Sequence, residues 1–312
     1  YFEKIAIEKK ISDLQIPDLY YAVYQNIIVI NHFKNEAYIF CHSFDNQNNI
    51  AEIEQLIQSK NFASYSFSKE GNSISNLNND DFKSNVALAK QHCQRGDVFQ
   101  LVLSRRFTQG FKGDEFNVYR ALRSINPSPY LFFFDYGNFK IFGSSPEAQL
   151  VINNRKAEIH PIAGTFKRTG NDEQDALLAK QLSEDSKENS EHVMLVDLAR
   201  NDIARISQSG SRKVAELLKV DRYSHVMHLV SRVTGQLRQD LDALHAYQAC
   251  MNMGTLVGAP KVKAAELIRQ VEGKRRGSYG GAVGYLAGNG DFDSCIVIRS
   301  AYVANNTAYI QA

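Results

Sequence analysis

A chain of 312 residues, 44% of them hydrophobic, has enough apolar surface to bury a large core. Its 36 basic residues almost balance its 34 acidic ones, so the formal net charge is only +2. This balance predicts no electrostatic field for nucleic acid, and the lack of an apolar run of about 18 residues predicts no membrane-spanning helix. We therefore expect neither nucleic acid nor a membrane as a partner.

Four cysteines are spread along the chain without a Cys-x-x-Cys pair: Cys41, Cys93, Cys250 and Cys295. This spacing indicates neither a disulfide framework nor a zinc site, and it favours the reducing cytoplasm. The chain begins without methionine and stops within a predicted strand, at residues 309–312. We therefore expect an internal fragment of a longer protein.

The first 80 residues carry little functional signal. Short apolar runs at residues 26–30 and 36–41 predict a hairpin, and residues 51–59 predict a short helix. Residues 61–80 are rich in Ser and Asn, which is typical of a linker. The chain is therefore divided into two parts: a remnant of an N-terminal subdomain with its linker, residues 1–80, and a second domain, residues 81–312.

The second part alternates strands with helices. Helices are predicted at residues 82–93, 115–124, 172–206, 241–251 and 260–271, with Pro260 as a first helical residue and Gly273 as a cap. Strands are predicted at residues 98–107, 131–136, 140–142, 149–153, 279–286 and 293–304. Because most gaps between strands are short, we expect neighbouring strands to be antiparallel.

Three glutamates stand at helical spacing within the long predicted helix. Glu184, Glu188 and Glu191 are four and three residues apart, so one helix would place them on one face. A solvated acidic face is the simpler interpretation, because glutamates are mostly exposed. Glu191, however, directly precedes the apolar run at residues 193–196, which predicts a position near the core boundary.

Three further polar residues could carry chemistry. Arg299 falls in a predicted strand, on an apolar row that includes Cys295 and Ala301, so its guanidinium needs an anion from either the protein or a ligand. His228 could equally be a satisfied core histidine, and Glu147 could be an exposed turn residue. The residues alone leave these alternatives open.

Five blocks of sequence in one order carry a specific resemblance. They are residues 98–105 (VFQLVLSR), 143–147 (GSSPE), 161–165 (PIAGT), 190–202 (SEHVMLVDLARND) and 254–261 (GTLVGAPK). Over residues 96–312 the chain resembles the chorismate-utilising enzymes, and most closely the large subunits of anthranilate synthases. The resemblance implies an α+β fold with two facing antiparallel sheets, helices packed outside and the ligand in the cleft between them.

The resemblance also implies roles for individual residues. Glu191, and second Glu188, would bind the Mg²⁺ that holds the substrate carboxylate. Glu147 would be the general acid for the departing C4 hydroxyl, and His228 would assist the loss of pyruvate. Chorismate would be held by a set of donors and a fork-shaped cation, namely Gly164, Thr165, Thr255, Tyr279 and Arg299.

Two residues separate the branches of this family. Isochorismate synthases have a lysine in place of Gln100, and that amine deprotonates a water, which an amide cannot do. Aminodeoxychorismate synthases typically have a nucleophilic lysine in place of Ala163, and a methyl group cannot form that bond. Gln100 with Ala163 is the anthranilate synthase combination, so we expect attack of ammonia on C2 of chorismate. The other two activities, or a fragment that only binds chorismate or tryptophan, remain alternatives.

Ammonia needs a source, and no glutaminase Cys and His motif is present in this sequence. The resemblance implies a separate glutamine amidotransferase subunit as a partner and tryptophan as a feedback inhibitor. One wall of the tryptophan pocket would be Asn126, Pro127, Ser128, Pro129, Tyr130, Leu131 and Phe132, although two prolines that end a helix also explain this segment. Further Mg²⁺-binding glutamates of the family lie beyond the given sequence, so we expect little activity from residues 1–312 alone.

Overall fold

The structure, a computed structural model, describes residues 14–43, 48–59, 61, 63, 65–223 and 225–312. The chain forms two compact units. The smaller unit is Gln15–Ser66, and the larger unit is Phe67–Ala312 together with Leu14. Within the described residues, no helix combines the length and apolar character needed to cross a membrane.

The smaller unit has the predicted hairpin and helix. Strands β1 (Asn26–Asn31) and β2 (Glu36–Cys41) pair antiparallel, and helix α1 (Ile50–Gln58) follows. None of the helical side chains is buried, and the candidate site residues all lie in the larger unit.

The larger unit mixes helices with strands, which confirms the α+β class. Its helices are α2 (Asn79–Gln94), α3 (Phe116–Ile125), α4 (Asp172–Glu184), α5 (Ser186–Ile206), α6 (Ala243–Cys250), α7 (Gly254–Val257) and α8 (Lys261–Glu272). Its strands are β3 (Ser68–Ser75), β4 (Gln100–Leu101), β5 (Arg106–Lys112), β6 (Tyr130–Asp135), β7 (Lys140–Ser145), β8 (Ala148–Asn153), β9 (Lys156–Ile159), β10 (Ile162–Lys167), β11 (Lys213–Arg222), β12 (Val226–Gln236), β13 (Gly258–Ala259), β14 (Ala282–Leu286), β15 (Phe292–Ile296), β16 (Ser300–Ala304) and β17 (Thr307–Gln311).

Two large sheets are antiparallel throughout. One has the order β3-β5-β17-β16-β7-β6, and the other has the order β10-β12-β9-β8-β15-β14, with β11 also paired to β12. Helix α5 packs on β9, β10 and β12, where fully buried side chains such as Ile203 and Val233 form the main core. The predicted antiparallel pairing is confirmed.

The chain passes directly between the two sheets at two places. The first crossover, residues 146–147, joins β7 to β8, and the second, residues 297–299, joins β15 to β16. The two crossovers are hydrogen-bonded to neighbouring strands, since Ile296 N donates to Glu147 O at 3.0 Å and Ser144 N donates to Arg299 O at 3.1 Å. The crossovers therefore lie side by side.

Several predicted elements differ from the structure. The strands predicted over 98–107 and 293–304 are each two strands, because the chain leaves one ladder and enters another. The segment predicted as a linker, residues 61–80, contains β3, which pairs with β5 at a sheet edge. Strands β9 to β12 were not predicted. Strand β9 alternates polar and apolar residues over only 4 positions, and β10 to β12 follow neither strict alternation nor a continuous apolar run. The functional division at residue 81 stays a prediction.

Candidate active site

Glu147 is a buried carboxyl group on the first crossover. Only 6% of the residue is exposed, and burial raises the pKa of its carboxyl to about 8. Two neighbours oppose this rise: the Thr255 hydroxyl, which donates to Oε1 at 2.9 Å, and the charge of Arg299. A carboxyl that keeps its proton at neutral pH can act as a general acid. The alternative of an exposed turn glutamate is wrong.

Arg299 lies on the second crossover rather than in a strand. Its φ is +48°, the strand ends at Ile296 and resumes at Ser300, and the side chain is exposed. The prediction that it shares a buried apolar strand face with Cys295 is therefore wrong, because the chain changes sheet between them. Among the described residues Arg299 makes no ion pair, so its guanidinium is available to an anionic ligand.

Tyr279 is held beside the second crossover by backbone hydrogen bonds. It lies in a turn before β14, not in the strand predicted from residue 279. The next residue, Gly280, donates from its N–H to Val297 O at 3.1 Å, and Val297 N donates to Gly281 O at 2.9 Å. The ring is partly buried against the main core, and burial raises the pKa of its phenol. Tyr279 and Arg299 are thus on adjoining segments.

Glu188 and Glu191 lie near the start of α5. The long predicted helix breaks at Asp185, whose side chain accepts hydrogen bonds from Lys187 N and Glu188 N at 2.9 Å and so caps a new helix. The prediction of one face with three glutamates is wrong, because Glu184 is the exposed last residue of α4. The spacing of the other two still places them on one side of α5.

Gln100 is fixed next to Glu191. Its Nε2 donates to Glu191 Oε1 at 3.0 Å, while its buried Oε1 has no hydrogen-bond partner among the described residues. The backbone of Gln100 pairs with Ala259 in the short β4–β13 ladder. A Cβ at Gly258 would lie 2.1 Å from Gln100 O, so this ladder requires glycine there.

Ala163 precedes a bulge in β10. The register with β12 shifts between Ala163 and Thr165, and Gly164 between them has a φ of +66°. A Cβ at Gly164 would lie 3.2 Å from Glu188 Oε2, so the bulge adjoins Glu188 of α5. Thr165 is exposed beside it. This part of the motif therefore lines the same site as Gln100.

His228 faces the bulge from β12. Its Nδ1 lies 3.0 Å from Gly164 O and 3.1 Å from Thr165 Oγ1. A carbonyl oxygen can only accept, so we assign the proton to Nδ1 and leave Nε2 with a lone pair. Burial lowers the pKa of the imidazole, and the charge of Arg299 lowers it further. His228 is thus neutral at neutral pH, with one basic nitrogen.

The structure brings most of the predicted residues into one site. Arg299 is close enough to influence the pKa of both Glu147 and His228, which joins the crossovers to the bulge of β10. Gln100 joins the short ladder to α5, and Gly164 joins α5 to β12. The site thus combines a protonated carboxyl, a neutral imidazole, an available guanidinium and two further glutamates.

The segment 126–132 borders the first crossover, since Tyr130 pairs with Ser145 directly before it. Asn126 ends α3, the two prolines at 127 and 129 are exposed, and Tyr130 begins β6. The Tyr130 hydroxyl donates to Asp293 Oδ1 at 3.0 Å, which links the two large sheets. The helix-ending turn is confirmed, and tryptophan binding here stays a prediction.

Sequence reasoning missed several buried polar residues around the site. Lys261 forms an ion pair of 2.5 Å with Asp202 and also donates to Cys250 O at 3.1 Å, shortly before helix α7, which carries Thr255. Arg276 forms an ion pair with Glu272 and contacts Tyr279. Lys261 and Asp202 belong to the motif blocks, but nothing in their local sequence distinguishes a buried pair from surface charges.

The residues that could hold Mg²⁺ are few. No cluster of three or more potential ligands occurs in the described part of the chain, and Glu188 and Glu191 offer two carboxylates on one helix. Mg²⁺ commonly binds through one or two carboxylates and keeps several waters. The two glutamates therefore fit a partly hydrated Mg²⁺, with Glu188 Oε2 beside the bulge at Gly164.

Comparisons with known sequences identify the relatives of this chain. The pattern described as chorismate binding enzyme matches residues 1–312. Anthranilate synthase component 1 of Vibrio cholerae is 48% identical over 318 residues, which cover 96% of this chain and 61% of that protein. Its counterpart from Escherichia coli is 54% identical over 245 residues, or 76% of this chain and 47% of that protein. The chain thus spans about half to three fifths of these curated relatives.

Comparisons with solved structures agree with the fold. Anthranilate synthase component I from Streptococcus pneumoniae superposes with a TM-score of 0.84 and 35% identity, over 98% of this chain and 71% of that one. The menaquinone-specific isochorismate synthase from Escherichia coli superposes with a TM-score of 0.73, but its 21% identity shows a shared fold alone. From the match over its full length and from the Streptococcus pneumoniae relative, the chain belongs to the family of chorismate binding enzymes.

Proposed function

We propose that the polypeptide containing this chain is an anthranilate synthase component I. It would convert chorismate and ammonia into anthranilate and pyruvate through 2-amino-2-deoxyisochorismate. The observation that carries this proposal is that Gln100 bonds to Glu191, while Gly164, next to Ala163, adjoins Glu188 one turn earlier on α5. Neither Gln100 nor Ala163 supplies a basic or nucleophilic nitrogen. The nucleophile must therefore come from outside, as ammonia. The named relatives from Vibrio cholerae and Streptococcus pneumoniae support this choice.

Gln100 suits a site for ammonia. Its amide nitrogen is engaged with Glu191, and its buried Oε1 has no partner among the described residues. An amide oxygen accepts a hydrogen bond from ammonia without removing a proton, so the nitrogen lone pair stays available for the ring. Gln100 would thus orient the nucleophile.

Glu147 would act in the first step. The nitrogen of ammonia bonds to C2, the ring electrons shift, and the bond from C4 to its hydroxyl breaks. Thr255 donates to Oε1 of Glu147, so the carboxyl proton is on Oε2 and can be given to the departing hydroxyl, which leaves as water. The ammonium group formed at C2 then gives one proton to the ionised Glu147 carboxylate, which leaves the amine and restores the acid. A pKa near 8 keeps this proton in place at neutral pH.

His228 would act in the second step. Gly164 O holds the proton on Nδ1, so Nε2 can accept the proton from C2 as the bond from C3 to the enolpyruvyl oxygen breaks. The ring becomes aromatic, and the enolpyruvate tautomerises to pyruvate. The guanidinium of Arg299 and the hydroxyl of Tyr279 would hold a carboxylate of chorismate during both steps.

Mg²⁺ is part of the proposal as the ion that Glu188 and Glu191 would hold. When bound, it would neutralise and orient a substrate carboxylate. The other proposed components are a glutamine amidotransferase subunit as the source of ammonia, tryptophan as a feedback inhibitor bound near residues 126–132, and a cytoplasmic location. The four cysteines are free thiols, which is consistent with a reducing compartment.

The test is Ala163→Lys in the full-length polypeptide, assayed with chorismate, Mg²⁺ and ammonium salt. We expect anthranilate fluorescence to disappear, because the new amine competes with ammonia for C2. Intact-mass spectrometry should then detect a covalent adduct of chorismate with loss of water. A variant that still makes anthranilate at the parental rate would contradict the proposal.

Ala163→Met is the matched control, since its side chain has a similar length but no amine. It should slow the reaction by steric hindrance without forming an adduct. If the parental protein makes isochorismate or aminodeoxychorismate under the same conditions, the corresponding alternative activity replaces the proposed one. If it binds chorismate without turnover, the binding-module alternative does.

A further inference from the structure

Two arginines near the site differ in how their donors are used. Arg299 is exposed and makes no ion pair within the described residues. Arg276, in contrast, is largely buried, and protein acceptors take four of its hydrogen bonds. With four of its five N–H donors bonded to protein groups, Arg276 has too few left to grip a carboxylate as a fork. Its task must therefore differ from that of Arg299.

The acceptors of Arg276 belong to segments that carry site residues. NH1 donates to Leu256 O at 2.7 Å, and Leu256 directly follows Thr255. NH2 donates to Val102 O at 2.7 Å, two residues after Gln100. These carbonyls lie at the end of the β4–β13 ladder, just beyond the bond from Val102 N to Val257 O at 3.1 Å. The guanidinium thus bridges the two chain segments next to the ladder, where the hydrogen bonds between them stop.

The third segment is the turn with Tyr279. The Arg276 guanidinium lies 5.6 Å from the centre of the Tyr279 ring, an arrangement in which cation and ring attract each other. Tyr279 follows Arg276 by three residues, so a fixed guanidinium also fixes the course of this turn. The Arg276 side chain therefore contacts the three chain segments that carry Gln100, Thr255 and Tyr279.

Glu272 makes this arrangement rigid. Its carboxylate accepts from Arg276 Nε at 2.9 Å and from NH2 at 2.6 Å, and it also accepts from Ser104 N at 2.7 Å. Glu272 is the last residue of α8, so the bidentate pair ties the arginine to a helix end. A lysine has one ammonium group and cannot make all four bonds at once.

We propose that Arg276 is a positioning residue of the active site, which holds Gln100, Thr255 and Tyr279 in the arrangement needed for chorismate. The inference rests on the proposed function, because those three groups matter as parts of that reaction. Displacement of about 1 Å in a supporting segment is enough to lower catalysis about 100-fold. Arg276 therefore acts through other residues and does not touch the substrate.

The test compares Arg276→Lys with Arg155→Lys in the full-length polypeptide. Arg155 also donates to two backbone carbonyls, Arg238 O at 2.6 Å and Leu241 O at 3.2 Å. Neither carbonyl belongs to a chain segment that carries a site residue. We expect Arg276→Lys to lower kcat/KM about 100-fold and to weaken chorismate binding, measured by calorimetry without ammonia, roughly tenfold. Arg155→Lys should change only the melting temperature.

A double-mutant cycle separates positioning from mere stability. If Arg276 acts through Tyr279, then Tyr279→Phe should lower kcat/KM much less in the Arg276→Lys background than in the parental protein. Additive effects, or kinetics within twofold of the parental values well below the melting temperature, would overturn the inference. Glu272→Gln, which keeps the arginine and its carbonyl acceptors, serves if Arg276→Lys does not fold, and it should lower kcat/KM about tenfold. A tenfold loss supports the inference, and unchanged kinetics overturn it.

Measurements on the parental protein distinguish a failure of this inference from a failure of the proposed function. If it binds chorismate but makes no anthranilate, the proposed function fails while the binding comparison still tests Arg276. If it makes anthranilate and the two lysine variants behave alike, only the positioning role fails.

Discussion

Two glutamates in the same site, Glu147 and Glu191, face opposite environments. Glu147 is on a crossover between the sheets, almost fully buried, with one hydroxyl donor at 2.9 Å. Glu191 is on the first part of α5, partly exposed, and accepts from the amide of Gln100 at 3.0 Å. Burial raises the pKa of the Glu147 carboxyl to about 8 and so keeps its proton.

The difference shows that residue type does not assign the chemistry of a carboxyl group. A buried carboxyl with a proton can donate to a leaving group, whereas a carboxylate at the helix surface can bind a hard cation. The same side chain is therefore suited to acid catalysis in one place and to Mg²⁺ in the other. Each of the following experiments tests the role of one of these glutamates or of the arginine near Glu147.

The largest effect is expected from Glu147→Gln in the full-length polypeptide. Loss of the proton donor should lower kcat for anthranilate formation by about 100- to 10,000-fold. Fluorescence of the product measures the rate. Glu184→Gln, which changes an exposed glutamate at the end of α4, is the control and should leave the rate unchanged. Activity near the parental level would remove Glu147 from the role of general acid.

Arg299→Ala should have the next largest effect, because the charge of Arg299 acts on both Glu147 and His228. We expect kcat/KM for chorismate to fall by roughly 2–5 kcal/mol, as a charge pair with the substrate is lost. The free energy of unfolding should change by less than about 0.5 kcal/mol, since the side chain is exposed. Urea unfolding measures the second quantity. A large loss of stability with normal kinetics would instead indicate a structural partner.

The pH dependence of stability tests the burial of Glu147 without any assay of activity. The pKa of its carboxyl rises from about 4.5 to about 8 on folding. Between these values the folded chain holds a proton that the unfolded chain has lost, so this group lowers stability as pH rises. Glu147→Gln should remove that decline and be more stable by roughly 1–4 kcal/mol at pH 8. Parallel urea-unfolding curves for both proteins from pH 5 to 8.5 would refute the shift.

The smallest effect concerns Glu191. In the full-length polypeptide, Glu191→Gln should raise the Mg²⁺ concentration for half-maximal activity roughly tenfold, because one anionic ligand is lost. Glu173→Gln, an exposed change in the first turn of α4, should leave it unchanged. An unaltered Mg²⁺ requirement would mean that Glu191 serves only to hold Gln100.

The sequence predicted those structural elements that a few adjacent residues are enough to determine. The hairpin of β1 and β2, the left-handed Gly273 that ends α8, and the proline turn after α3 all follow from a few adjacent residues. The cap at Asp185 was also readable, with Glu188 three residues later, but the helical pattern on both sides concealed it. The family motifs identified the candidate site residues, although not their surroundings.

Tertiary structure decided the electrostatic state of the site. The Gln100 to Glu191 bond spans 91 residues, the Thr255 to Glu147 bond spans 108, and the Arg276 to Val102 bond spans 174. Sequence periodicity reports on neighbours within a few residues and carries no information at these separations. By itself the sequence determined which groups could act as acid, base or cation. Only the fold decided which carboxyl is buried and protonated, because burial depends on how distant segments pack together.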